Sequence, residues 1–161
     1  MLSSATNPRR VSTMLSCLIS VTLFSALASA QQFAPATAAN AKQFVGIWKA
    51  NFQGNPFFTV TLAIEGNKLV GNVSPFNIEV NKAGELTKAE ASDDQDPDPI
   101  TDARVNGDIL RLTIKSADGS GDTLQSELRL VASNEANYRM VVPPDVPAPK
   151  PWRLQRVAAK P

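Results

Sequence analysis

ITDARVNGDILRLTIKS, residues 100–116, is the stretch from which the fold can be read. Asn106-Gly107 sits between two alternating runs. That dipeptide is a strong short-range hairpin signal, because both residues accept positive φ. Downstream of it, Leu110, Leu112 and Ile114 alternate with Arg111, Thr113 and Lys115. One apolar face at period two marks a half-buried strand.

The same grammar extends in both directions. Upstream, Phe58, Val60, Leu62 and Ile64 face one way in FFTVTLAIE, and Glu65-Gly66-Asn67 turns the chain into KLVGNVS, where Leu69 and Val73 share a face. FNIEV alternates Phe76, Ile78 and Val80. Downstream, TLQSELRLVAS turns Leu124, Leu128 and Leu130 inward, EANYRMVV carries Tyr138, Met140 and Val142, and PWRLQRV puts Trp152, Leu154 and Arg156 on one face. GELTKAEAS, residues 84–92, fits either a polar edge strand or a short helix. About eight to ten short strands with turn signals between them and no helical period predict a single all-β domain. An antiparallel up-and-down meander is the simplest arrangement, since parallel pairing needs crossover segments for which the chain has no room. An open β-sandwich is the alternative.

The first thirty residues read differently. Arg9 and Arg10 precede a run without charge from Val11 to Ala30, which ends in Ala28-Ser29-Ala30. Basic start, apolar stretch and small-residue site are the parts of a cleaved export signal. Hydroxyl residues dilute the run, and no basic cluster follows to stop transfer, so a membrane anchor fits less well. The expectation is a signal peptide over 1–30, a flexible lead-in over 31–43 (QQFAPATAANAKQ), and one barrel domain over 44–158. The mature chain would be periplasmic or extracellular, with no membrane insertion once the signal is cleaved. The only cysteine, Cys17, leaves with the signal, so the exported domain rests on its core alone. Removing the two leading arginines from sixteen basic residues leaves fourteen against fifteen acidic ones. That balance argues against nucleic acid and against an anionic membrane surface.

FVGIWKA, residues 44–50, opens the folded part. An even number of strands returns the end of the last strand to the rim where the first begins. If the sheet closes, Gly46 and Trp48 therefore meet Arg156, and a guanidinium over the indole face contributes about 0.5–2 kcal/mol. Trp48 then plugs the barrel floor; in an open sandwich it is ordinary core packing.

A Gly-x-Trp at the head of the first strand with an arginine near the end of the last resembles the signature of lipocalins and the wider calycin group. GIWKANF, FTVTLAIEGNKLVGNVS, ITDARVNGDILRLTI and WRLQRV together are similar to small exported bacterial lipocalin-like domains of unknown function. The resemblance covers residues 44–157. It departs from lipocalins in lacking a disulfide and in an insert-like stretch from Asn81 to Pro99. It implies a closed barrel with an apolar cavity, for which Phe52, Phe58, Val60, Tyr138 and Met140 are candidate lining, and no known ligand.

The chain has no histidine, and its mature part would have no cysteine. Ser-His-Asp and Cys-His catalysis and His/Cys zinc sites are thereby excluded. Asp94, Asp96 and Asp98 in ASDDQDPDP, residues 91–99, alternate like the front of a calcium loop. Pro99 then occupies the glycine position and Val105 the closing glutamate position, so the run reads as a solvated acidic loop. PPDVPAPKP, residues 143–151, is a stiff extended connection between the last two strands, or a rim around a barrel mouth. Asn72-Val73-Ser74 fits a glycosylation acceptor but lies within a strand. The expected function is a non-enzymatic binding module without cofactor or metal, holding a small apolar or amphipathic ligand. The alternative is a structural or protein-interaction module of the cell envelope with a solid core.

Overall fold

The computed structural model describes residues 32–92 and 95–157. The expected signal peptide, Cys17, and Asp93 and Asp94 of the acidic run lie outside the described residues. In chain order the strands are β1 (Ala34–Pro35), β2 (Gly46–Phe52), β3 (Asn55–Glu65), β4 (Lys68–Val73), β5 (Phe76–Val80), β6 (Leu86–Ala91), β7 (Asp98–Asn106), β8 (Ile109–Lys115), β9 (Thr123–Ala132), β10 (Glu135–Val141) and β11 (Trp152–Val157). A 3-10 turn at Lys42–Phe44 precedes β2.

Eight of these strands form one antiparallel up-and-down barrel in the order β2-β3-β4-β7-β8-β9-β10-β11. It closes where Arg156 of β11 pairs with Trp48 of β2, flanked by Gln155 opposite Lys49 and Val157 opposite Ile47. Closure rules out the open sandwich and removes the exposed edges such a sheet would carry. The hairpin at residues 100–116 pairs Asn106 with Ile109. Its two-residue loop is therefore Gly107-Asp108, one position later than the Asn-Gly pair suggests.

Alternation along the strands fills the interior. Trp48, Phe58, Val60, Leu62, Leu110, Leu112, Leu128, Tyr138 and Leu154 are all buried in one core cluster. Burying a side chain of this size contributes about 1.5–3 kcal/mol each, which is how a barrel without disulfides holds together.

Two features depart from the sequence reading, and one open alternative is settled. Within residues 84–92 the strand holds over the short helix: Leu86–Ala91 form β6, which pairs with β5 as a two-stranded sheet separate from the barrel. The acidic run ends earlier than expected: Asp98 and Pro99 belong to β7, opposite Val73 and Asn72 of β4. Proline is tolerated at the start of a strand, where the missing N–H costs least, and Asp98 Oδ1 accepts a hydrogen bond from the Ala117 N–H at 2.8 Å.

The second departure is the lead-in. Rather than a loose or frayed segment, β1 pairs with the other end of β7, Ala34 opposite Val105 and Pro35 opposite Arg104. The described register pairs of β4 with β7 are Asn72 with Pro99 and Val73 with Asp98. Ala36 spans the seam: its N–H donates to Ala103 O at 2.8 Å and its carbonyl accepts from Leu69 N at 3.2 Å. Ala36 and Ala41 are buried. Two residues have no periodicity to read; the partly unpaired edge of β7 recruits them.

Candidate functional site

The barrel has two chemically different ends. At the floor, the Arg156 guanidinium carbon lies 4.4 Å from the Trp48 ring centroid. The indole Nε1 donates to Phe44 O at 2.8 Å, and Arg156 Nη2 donates to Gln43 O. Gln43 Nε2 donates to Gly107 O at 2.7 Å, so the 3-10 turn is tied to the β7–β8 loop. Gly46 makes the stacking possible. Its φ is +136°, a conformation L side chains rarely adopt, and a Cβ there would stand 3.4 Å from Arg156 Cδ. The arginine stem lies along this bare backbone. Phe44 and Ala41 complete the plug, both fully buried.

At the other end stands an aromatic cluster of Phe57, Phe58, Phe76, Tyr138 and Trp152. Phe58 is its centre, with ring centroids 4.6 Å from Tyr138, 4.8 Å from Phe76 and 5.6 Å from Trp152. Tyr138 and Trp152 are 5.2 Å apart and directly opposite in the β10–β11 register. Phe57 joins because the register shifts between Ala50 and Asn51 of β2, which leaves it as an extra residue on β3. A bulge of this kind lets two consecutive residues both turn into the core. Phe76 comes from the separate β5–β6 hairpin, which lies over this end.

The polar atoms here are unusual. Ser126 Oγ, Tyr138 OH and Trp152 Nε1 are buried and have no hydrogen-bond partner among the described residues. Ser126 and Tyr138 are 0 % exposed and Trp152 is 8 % exposed. Burial pushes the Tyr138 phenol well above its ordinary range; the Ser126 hydroxyl is near enough to oppose this in part, but the pair falls short of hydrogen-bond geometry. The phenol therefore stays protonated and available as a donor. Two hydroxyls and an indole N–H among five rings can orient a bound molecule, but supply no group that exchanges protons near neutrality. Among the described residues no cluster of histidine, cysteine or carboxylate side chains could hold a metal ion.

The candidate residues thus divide between the two ends and the outer surface. Gly46, Trp48 and Arg156 meet at the floor, and Val60 lies opposite Trp48 in the β2–β3 register. Phe58 and Tyr138 stand together at the aromatic end, with Met140 half-buried opposite Ser126 on β9. Phe52 is half-buried against the core and also lines a groove of about 410 Å³ between the β2–β3 turn and β6, with Pro56 and Ala89. Phe57, Phe76 and Trp152 were not singled out from sequence as site residues. Consecutive phenylalanines after Pro56 were the available signal for a bulge.

Elsewhere the outer wall carries satisfied ion pairs. Glu127 accepts from Arg111 at 2.7 Å and from Arg139 at 2.5 Å, and Phe33 packs under the Arg111 guanidinium at 4.0 Å. Among the described residues no helix is long and apolar enough to cross a membrane. Comparison with known proteins finds no matching family model, no matching curated protein and no matching solved structure.

Proposed function

We propose that the chain is an exported, non-enzymatic binding module of lipocalin-like type, which takes a small amphipathic molecule at the aromatic end of its barrel. The observation that carries this reading is the set of buried polar atoms without a partner among the described residues at this end: Tyr138 OH and Trp152 Nε1 in the aromatic cluster, and Ser126 Oγ beside Tyr138. Leaving such a group unsatisfied costs about 1–3 kcal/mol, and a compact native state tolerates few of them. A flat ligand with one or two hydrogen-bonding groups would satisfy these atoms while stacking on Phe58 and Trp152. Export rests on Arg9-Arg10, the uncharged run to Ala30 and the Ala28-Ser29-Ala30 site.

A second reading, a structural or protein-interaction module of the envelope, is favoured by the packing itself. Phe58, Val60 and Tyr138 are buried against one another and their neighbours, as in small barrels filled by their own side chains.

Native mass spectrometry of the protein purified from its own host separates the two. A retained mass that is lost on denaturation supports the binding module. Bare protein, with no mass shift on incubation with a panel of amphipathic aromatics, favours the solid module. The same spectrum reports export: a mature N-terminus at Gln31 is expected, and full-length protein retained in the membrane would overturn it.

A further inference from the structure

The cover over the aromatic end is built unlike the barrel beneath it. β5 and β6 pair only with each other, from Phe76 opposite Ala91 to Val80 opposite Leu86. The base of this hairpin is fastened by backbone and by the Ser74 hydroxyl. Ser74 N donates to Thr59 O at 2.8 Å, Thr59 N donates to Ser74 Oγ at 2.8 Å, and Ser92 N donates to Pro75 O at 3.1 Å. Its inner face is apolar: Phe76 packs on Phe58, and Ile78, Leu86 and Ala89 are half-buried against the core.

The tip is held differently. Asn81 Oδ1 accepts from the N–H groups of Ala83 and Glu85, which gives the turn a fixed shape. The proline-rich connection between β10 and β11 then passes across it. Lys150 N donates to Gly84 O at 2.7 Å, and Lys150 Nζ pairs with Glu85 Oε1 at 2.9 Å. Gly84 has φ +76°, and a Cβ there would come within 2.5 Å of the Ala148 carbonyl oxygen, so the strap is seated against bare backbone. Pro149 is buried in this contact, while residues 143–148 are exposed.

A base tied to β3 by two hydrogen bonds, and a tip held to the strap by one backbone hydrogen bond and one ion pair, make a hinge and a latch. The latch pair is more than half exposed on both sides, and such pairs hold weakly in water. The strap is stiff because proline fixes φ, so it releases as a unit. Directly below Phe76 lie Phe58 and Trp152, and next to Trp152 stands Tyr138; Trp152 Nε1 and Tyr138 OH are unpartnered among the described residues.

The geometry points to the β5–β6 hairpin being a hinged lid over the aromatic end, latched at its tip by the proline strap and opening independently of the barrel. Its purpose rests on the binding reading above; its motion does not. The lid admits the ligand without unfolding any barrel strand, which local opening of a low-stability unit permits.

Hydrogen exchange read by mass spectrometry tests the motion, on the protein itself and on Lys150→Ala and Gly84→Ala. Residues 76–91 are expected to exchange about fivefold faster or more in both variants, with residues 109–132 unchanged. Hairpin and barrel strands exchanging at one common rate in all three proteins would overturn the lid. A second measurement follows the binding rate of 1-anilinonaphthalene-8-sulfonate by stopped flow, where the two variants are expected to bind faster. If the hairpin opens as described but the dye binds to none of the proteins, the lid stands and the binding reading fails. If the dye binds all three at one rate while hairpin exchange is unaltered, the lid is overturned and the binding reading stands.

Discussion

The floor and the aromatic end are each built around a buried tryptophan, and the two indoles are treated in opposite ways. Trp48 Nε1 has a carbonyl partner and a cation over its ring, both drawn from segments that close the barrel. Among the described residues Trp152 Nε1 has no hydrogen-bond partner and its ring no cation over it, and the hydroxyls of its neighbour Tyr138 and of Ser126 beside Tyr138 are also unpartnered. A buried donor with a partner adds stability, whereas a buried donor without one subtracts it. The chain thus concentrates satisfied polar groups where closure must be permanent, although Arg156 Nε at the floor has no partner among the described residues. It leaves its polar deficit at the end covered by a separate hairpin.

That contrast can be broken by substitution. The largest effect is expected for Trp48→Ala, about 3–5 kcal/mol, as for other large aromatic truncations in a core. Chemical denaturation measures it, and a loss under 1 kcal/mol would mean the floor is not what closes the barrel. Arg156→Ala should cost about 1–2 kcal/mol, through the lost stacking and the lost packing of its half-buried stem on Gly46. The double variant should be less unstable than the sum, since contacting residues couple; strict additivity would separate the two side chains energetically.

At the other end the sign should reverse. Tyr138→Phe deletes an unpartnered hydroxyl and leaves the ring, so stability should be unchanged or rise by up to about 1 kcal/mol. A clear loss on thermal melting would show that the hydroxyl is satisfied and that the two ends do not differ. Glu127 sharpens the comparison from the outer wall. Burial opposes its ionisation, but hydrogen bonds from Arg111 and Arg139 outweigh this and hold its pKa below the ordinary glutamate value. A depressed carboxylate contributes stability that is present above its unfolded pKa and lost as pH falls through the folded one. Acid melting of Glu127→Gln should therefore lack part of the loss seen in the parent protein. The smallest effect belongs to the acidic run. Asp96→Asn should be silent, whereas Asp98→Ala should cost about 0.5–1 kcal/mol by freeing the Ala117 N–H, and equal behaviour of the two would refute the role given to Asp98.

How much of this was legible varies with how local the cause is. Alternation placed Phe58, Val60 and Leu62, then Leu110, Leu112 and Ile114, on the inner face, because a strand's period is set by its own backbone. Closure was legible in Gly46, Trp48 and Arg156 because parity fixes which rim each strand end reaches. Phe57 was not, since its burial depends on a register shift in the neighbouring strand. Nor was β1, whose pairing is dictated by an edge of β7 about seventy residues away. The unpartnered atoms at the aromatic end were least legible of all. Tyr138 read as candidate cavity lining and Trp152 as an inward strand residue, but no period or spacing marks a buried polar atom as lacking a partner.

The seam where β1 meets β7 also sets how the molecule would respond to being pulled. Tension applied from the N-terminal side falls first on two register pairs and on the bonds of Ala36, which can peel one at a time. Tension applied from the C-terminal side falls at once on β11, which is hydrogen-bonded along both edges to β10 and β2. Resistance to forced unfolding is a rate governed by the barrier along the pulled path. An unfoldase or a single-molecule tether should therefore find the N-terminal side yielding in steps and the C-terminal side resisting until the barrel gives way as one.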